Sequence, residues 1–153
     1  ERDVVSRYVR RDIRKLSSDD LANFMDSAKT LYSIDTDTGK GLYGPNYKGM
    51  EHYVTEHLTN SVPDKKHDYM HDGMGFLTQH ISITNEFEES LQLINPALSM
   101  PYWDFTQDHV RVAQKATQEG RDIDYSDLWS LDIWTEDYFG SAVGSPIHTV
   151  TEG

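Results

Sequence analysis

Apolar residues recur at intervals of three and four in several stretches of the chain, most clearly between Phe76 and Ile94. Phe76, Leu77, Ile83, Phe87, Leu91 and Ile94 fall on one stripe, which predicts a long amphipathic helix over 73–94 with that stripe toward a core. The helix is expected to stop ahead of Pro96, because proline disfavours helix in the residue before it. His80 lies on the stripe, four after Phe76 and three before Ile83, so its imidazole is expected to point inward. A buried imidazole needs a partner for each ring nitrogen, and a metal is one way to supply one.

The rest of the pattern is also helical. Residues 3–16 read as a basic helix with Val4, Val5, Tyr8, Val9, Ile13 and Leu16 on one side. Ser17 or Ser18 then caps a second helix, with Asp19 and Asp20 in its positive first turn. Its apolar positions are Leu21, Phe24, Met25, Ala28, Leu31 and Tyr32. Residues 34–46 carry turn chemistry throughout and are expected to form a loop. The loop has the Asp-x-Asp-x-Gly flavour of a calcium site but no glutamate at the twelfth position, so a calcium site is not expected. A third helix runs from Tyr47 to Leu58 and ends near Asn60, and Pro63 and Lys65-Lys66 mark a short connection. Residues 105–125 read as helix plus loop. The aromatic-rich 126–140 segment is expected to be irregular, packing Leu128, Trp129, Leu131, Ile133, Trp134, Tyr138 and Phe139 on the helices.

Composition narrows the function. With 26 acidic against 14 basic residues the net charge is −12, which argues against nucleic acid or an anionic membrane surface as partner. No apolar run approaches the ~18 residues of a membrane span, so the chain reads as soluble, with secreted and organellar placement both open. No signal peptide is evident, and the chain opens at Glu1 rather than Met, so its natural start is expected to have been removed or left out. Zero cysteines exclude disulfides and zinc-thiolate sites.

The spacing His71-x8-His80 with Phe76 and Leu77 inside it is weak evidence alone. It is followed by Phe87-Glu88-x-x-Leu91 and then by Pro101-Tyr102-Trp103-Asp104. Together these resemble the first copper site (CuA) of the tyrosinase, polyphenol oxidase and molluscan haemocyanin superfamily, the type-3 copper proteins. Arg10 to Leu31 resembles the opening helix of that family, and Trp134 to Val143 resembles its "edyFG" segment. The resemblance implies a mainly α fold, a helical bundle of which this chain is the N-terminal half with long irregular loops. It further implies two copper ions, each held by three imidazoles, and this chain would hold one of them.

Under that resemblance His71 and His80 are two ligands of the copper. His57 is the expected first ligand, since Tyr53-Val54-x-x-His57 after Tyr47 matches the family's segment there. His52, five residues earlier on a different face, fits a partly exposed surface histidine better. His67, four before His71, is the other alternative, weakened by Gly73 and Gly75, which place His71 at a helix start or loop. His109 and His148 read as surface or hinge residues. Glu88 resembles the family's FE glutamate and is expected to pair with Arg10 or Arg11, or else to act as an acceptor behind a ligand. Tyr102, Trp103 and Asp104 are expected to be a packing and turn device. The sequence departs from the family pattern at Ile81, where an arginine is usual, and at Thr78 and Gln79, where proline and tryptophan are common. The cysteine that some relatives link to the second histidine is replaced by Tyr69 or Met70.

The H-x3-H pair of the second copper site (CuB) has no counterpart after His80, so 1–153 is expected to be the CuA part of a larger domain whose remainder is its partner. The implied activity is oxidation of phenols or catechols to quinones with dioxygen. The alternatives are a haemocyanin-like oxygen carrier and a structural protein with an incomplete copper site.

Overall fold

A computed structural model describes residues 8–61, 67–135 and 137–140. Among these the chain is helical, with α1 at Ser18–Ser33, α2 at Thr36–Tyr43, α3 at Met50–Asn60, α4 at Met74–Ile94 and α5 at Phe105–Glu119. Short 3-10 helices lie at Ile13–Lys15, Tyr125–Ser130 and Asp132–Trp134. No described helix is long and apolar enough to cross a membrane. The mainly α expectation holds. The chain divides into two compact units, Glu1–Pro101 and Tyr102–Gly153.

In the first unit, α1 packs on α4 and α3, and α2 packs on α3. Phe24 and Leu31 of α1, Tyr53 of α3 and Leu91 of α4 are buried, together with Ile13, Tyr47, Met70 and Leu98 from the connections. Ser17 caps α1 by accepting from the Asp20 amide at 3.1 Å. Tyr32, expected on the buried stripe, is exposed, and Ser27 is buried instead.

Two expectations fail here. The basic helix over 3–16 is absent from its described part: residues 8–11 are not helical, and only Ile13–Lys15 make a turn. Long-range bonds outweigh local propensity in this segment. Tyr8 Oη donates to the Pro96 carbonyl, Ser99 Oγ donates to the Val9 carbonyl, and Arg10 reaches Glu88 and Asn85. Residues 1–7 of that expected helix lie outside the described residues.

The expected loop over 34–46 contains α2. Asp35 caps it, accepting from the Thr38 amide at 2.9 Å and the Thr38 hydroxyl at 2.7 Å. The aspartates that gave the stretch its calcium flavour are therefore cap and first-turn residues. Gly39 is required because a Cβ there would run into the Tyr47 ring, whose hydroxyl donates to the Ile34 carbonyl at 3.0 Å. Gly44, at φ 108, ends the helix.

In the second unit Asp104 caps α5, and the Trp103 indole donates to the buried Asp108 carboxylate at 2.5 Å. Trp103 and Asp104 of the PYWD signature thus play the packing and turn roles expected of them, while Tyr102 is half exposed. Val112, Ala116 and Ile133 are buried, but Trp129 and Phe139, expected to pack, are about half exposed. Lys115 and Arg121 both pair with Asp127 and hold its carboxyl below the usual range.

Candidate metal centre

Three elements converge on the histidines. His57 stands in the last turn of α3, His71 in the turn before α4, and His80 near the end of the second turn of α4. The Tyr53 phenol sets α3 against α4. It donates to the Glu86 carbonyl at 2.8 Å, lies 2.7 Å from Ser90 Oγ, and packs edge-on against Phe87. Burial pushes its pKa up to about 12, so it stays a neutral donor.

The turn holding His71 is pinned separately. Met70 is buried, and the Tyr69 amide donates to the Asn60 carbonyl at 3.0 Å. Asp68 accepts from the amides of Met70 and His71 at 3.0 and 2.9 Å. Gly73 adopts φ 57 to start α4, and a Cβ on Gly75 would strike the Tyr69 carbonyl oxygen.

One ligand atom from each of His57, His71 and His80 lies within 4.8 Å of the other two. Their ring centroids are 5.0, 5.5 and 5.7 Å apart. Every Nδ1 faces an oxygen acceptor. His71 Nδ1 donates to Asp68 Oδ2 at 3.1 Å, and His80 Nδ1 donates to the Phe76 carbonyl at 2.8 Å. Ser61 Oγ spends its own proton on the His57 carbonyl at 2.5 Å, so at 3.5 Å it faces His57 Nδ1 as an acceptor. These partners put the ring protons on Nδ1 and leave three Nε2 lone pairs.

His71 Nε2 and His57 Nε2 are 3.2 Å apart. With both rings protonated on Nδ1, two lone pairs face each other there and repel. A cation between them removes the repulsion, and two nitrogens ~2.0–2.1 Å from one tetrahedral ion, as for zinc, lie roughly 3.3 Å apart. The residues therefore fit a metal held by three neutral nitrogens.

His52 and His67 are not in this group. His52 lies on another part of the α3 surface and His67 is exposed. His109 is exposed and stacked on Tyr125, and His148 lies outside the described residues. His80 is only half-buried, not enclosed as its place on the apolar stripe suggested. Glu88 pairs with Arg10 through Nη2 at 2.5 Å and accepts from the Met100 amide at 2.7 Å. It braces the scaffold and does not back a histidine. That role belongs to Asp68, Ser61 and the Phe76 carbonyl, which sequence reasoning missed. The only advance sign of Asp68 was its i−3 spacing from His71, a spacing typical of capping aspartates. Burial pushes the Asp68 carboxyl up, but the bonds from His71 and Met70 outweigh this and hold it below its usual value.

A family model described as the common central domain of tyrosinase matches residues 47–142. Grixazone synthase of Streptomyces griseus subsp. griseus is 44% identical over 39 residues, a match covering 26% of this chain. The matched stretch spans 13% of that relative's length.

Proposed function

Since this chain belongs to the tyrosinase family, we propose that His57, His71 and His80 hold one copper of a two-copper centre that oxidises phenols or catechols to quinones with dioxygen. The observation that carries the reading is the convergence of three imidazoles, one ligand nitrogen from each within 4.8 Å of the other two, with the Nδ1 atoms of His71 and His80 bonded to oxygen acceptors. Imidazole suits copper, and copper heads the divalent affinity series. Copper bound there supplies the redox couple between phenol and dioxygen.

The chain's own residues supply the geometry. Asp68 holds the His71 ring and its proton, the Phe76 carbonyl does the same for His80, and Ser61 for His57. Acceptors behind metal-binding imidazoles fix the tautomer and raise ligand basicity. The rings are thus set before the metal arrives.

The chain would serve as the CuA part of the domain, and the remainder of the domain, in the same or a separate chain, would bring the second copper. Phe76, packed 5.0 Å from the His80 ring, is 52% exposed, and Leu77, Ile81, Val54 and Leu58 beside the site are exposed as well. An exposed apolar rim around a ligand cluster fits a surface covered by the rest of the bundle.

Native mass spectrometry of the purified protein tests this. One copper per chain, lost in His71→Ala, is expected, with catechol turnover when a two-copper assembly is present. Reversible dioxygen binding without turnover would favour an oxygen carrier. A chain that takes up no copper would overturn the reading.

A further inference from the structure

A second group of ligating side chains bridges α3 and α4 away from the three-histidine cluster. His52 and Glu56 stand one helical turn apart on α3, and Glu86 meets them from α4. One ligand atom from each lies within 4.8 Å of the other two. His52 Nε2 and Glu56 Oε2 are 3.4 Å apart. Both atoms are buried, and neither has a hydrogen-bond partner among the described residues. Their mutual approach lacks hydrogen-bond geometry, so each has lost water without gaining a hydrogen bond.

We propose that His52, Glu56 and Glu86 bind a divalent cation of the zinc class. One nitrogen and two carboxylates are a donor set suited to zinc, with a fourth position left for water. Calcium takes six to eight oxygens and magnesium keeps an octahedral shell of oxygen and water, so neither suits an imidazole-containing trio. The i, i+4 spacing puts His52 and Glu56 on one helix face, and the orphaned atoms are the ones a shared ion would join. The His52 ring is held edge-on against Tyr53, with centroids 5.3 Å apart. Lys48 pairs with Glu86 on the same side. Two carboxylates against one ammonium leave the group net negative with the imidazole neutral.

Entry is open. The side chains of His52, Glu56 and Glu86 are 36%, 39% and 32% exposed, although the facing atoms are covered. A cleft lined by Lys48, His52, Glu86 and Glu89 reaches two of them, and a second lined by His52 and Glu56 reaches the third. An ion here ties α3 to α4, the helices that carry His57 and His80, so zinc should raise the thermal midpoint. The inference is independent of the copper reading.

Isothermal titration with zinc chloride separates the two sites. His71→Ala disables the three-histidine cluster, and that protein is expected to bind one zinc per chain. Adding His52→Ala, or the near-isosteric Glu56→Gln, should weaken this binding by more than about 10-fold, the least that even supporting substitutions cost a metal site. It should also abolish the zinc-dependent rise in melting temperature, with helical circular dichroism unchanged. The proposal is overturned if the His71→Ala protein takes up no zinc, or if its zinc binding is indifferent to both added substitutions. It is also overturned if Glu56→Gln lowers the melting temperature while zinc uptake persists, because the two side chains are then an ion pair only. The copper reading is judged separately, by comparing copper uptake of the natural sequence with His71→Ala.

Discussion

Either side of Glu86, α4 passes through two different settings. Toward its C-terminus, Leu91 is 0% exposed, Ser90 is buried against Tyr53, and Glu88 is clamped by Arg10 and the Met100 amide. Toward its N-terminus, Phe76, Leu77 and Ile81 are 52%, 52% and 58% exposed, and His80 is held by its own helix and the facing rings. The same kind of side chain acts as scaffold in one half and as rim in the other. A helix is stiff enough to carry that anchoring several turns, so His80 can be positioned from a distance while its surroundings stay open. Fully burying a residue such as Leu77 or Phe76 is worth about 1.5–3 kcal/mol, and in this half much of that is not realised.

The contrast can be broken by truncation. Leu91→Ala should cost about 2–5 kcal/mol in urea denaturation, as cavity-forming substitutions do. Leu77→Ala should stay within about 0.5 kcal/mol, as exposed substitutions do. Equal costs would mean that the two halves are equally packed. At the site end, Asp68→Asn should weaken copper binding by about 10–100-fold while leaving the thermal midpoint nearly unchanged, measured by competition with a chelator. A lowered midpoint with unchanged affinity would make Asp68 a capping residue alone.

Two smaller effects sharpen the scaffold side. Glu88→Gln should cost about 1.5 kcal/mol at neutral pH, the low end for a bond to a charged group, because the Arg10 side chain is 42% exposed. Chiefly through the Arg10 bond, the Glu88 carboxyl titrates below its ordinary 4.5. Its contribution is therefore complete above that value and lost as pH falls through the lowered one. Denaturation midpoints of the natural sequence and Glu88→Gln should converge in acid. Tyr53→Phe should cost about 1 kcal/mol, since the Glu86 carbonyl keeps its helical partner while the hydroxyl's two hydrogen bonds to α4 are lost. A loss of copper affinity with it would show that these bonds also set the spacing between His57 and His80.

Much of this was legible in the residues. The cap at Ser17, the span of α4, the end of α3 at Asn60 and the convergence of His57 with His71 and His80 follow from periodicity, capping chemistry and the motif. The glycine-rich α2 was not, because its stability comes from outside: Tyr47 fills the space above Gly39, and Glu51 accepts from the Thr36 amide at 2.6 Å. The opening segment misled in the opposite way, since its local helical pattern yields to partners more than seventy residues away. The acceptors behind the histidines were hidden because a serine, an aspartate and a backbone carbonyl carry no distinctive spacing. The exposure of Phe76 and Leu77 was hidden because periodicity reports which residues share a face and not what lies opposite.

The bonds from Tyr8, Val9 and Arg10 to Pro96, Ser99, Glu88 and Asn85 span 75 to 90 residues. Closing so long a loop is entropically slow and is rewarded only when both ends are present. During folding the segment of Tyr8, Val9 and Arg10 finds no partner until α4 and the turn after it are in place. These contacts are thus expected to form late in folding, after α4 and the turn behind it, with the Arg10 pair to Glu88 among them.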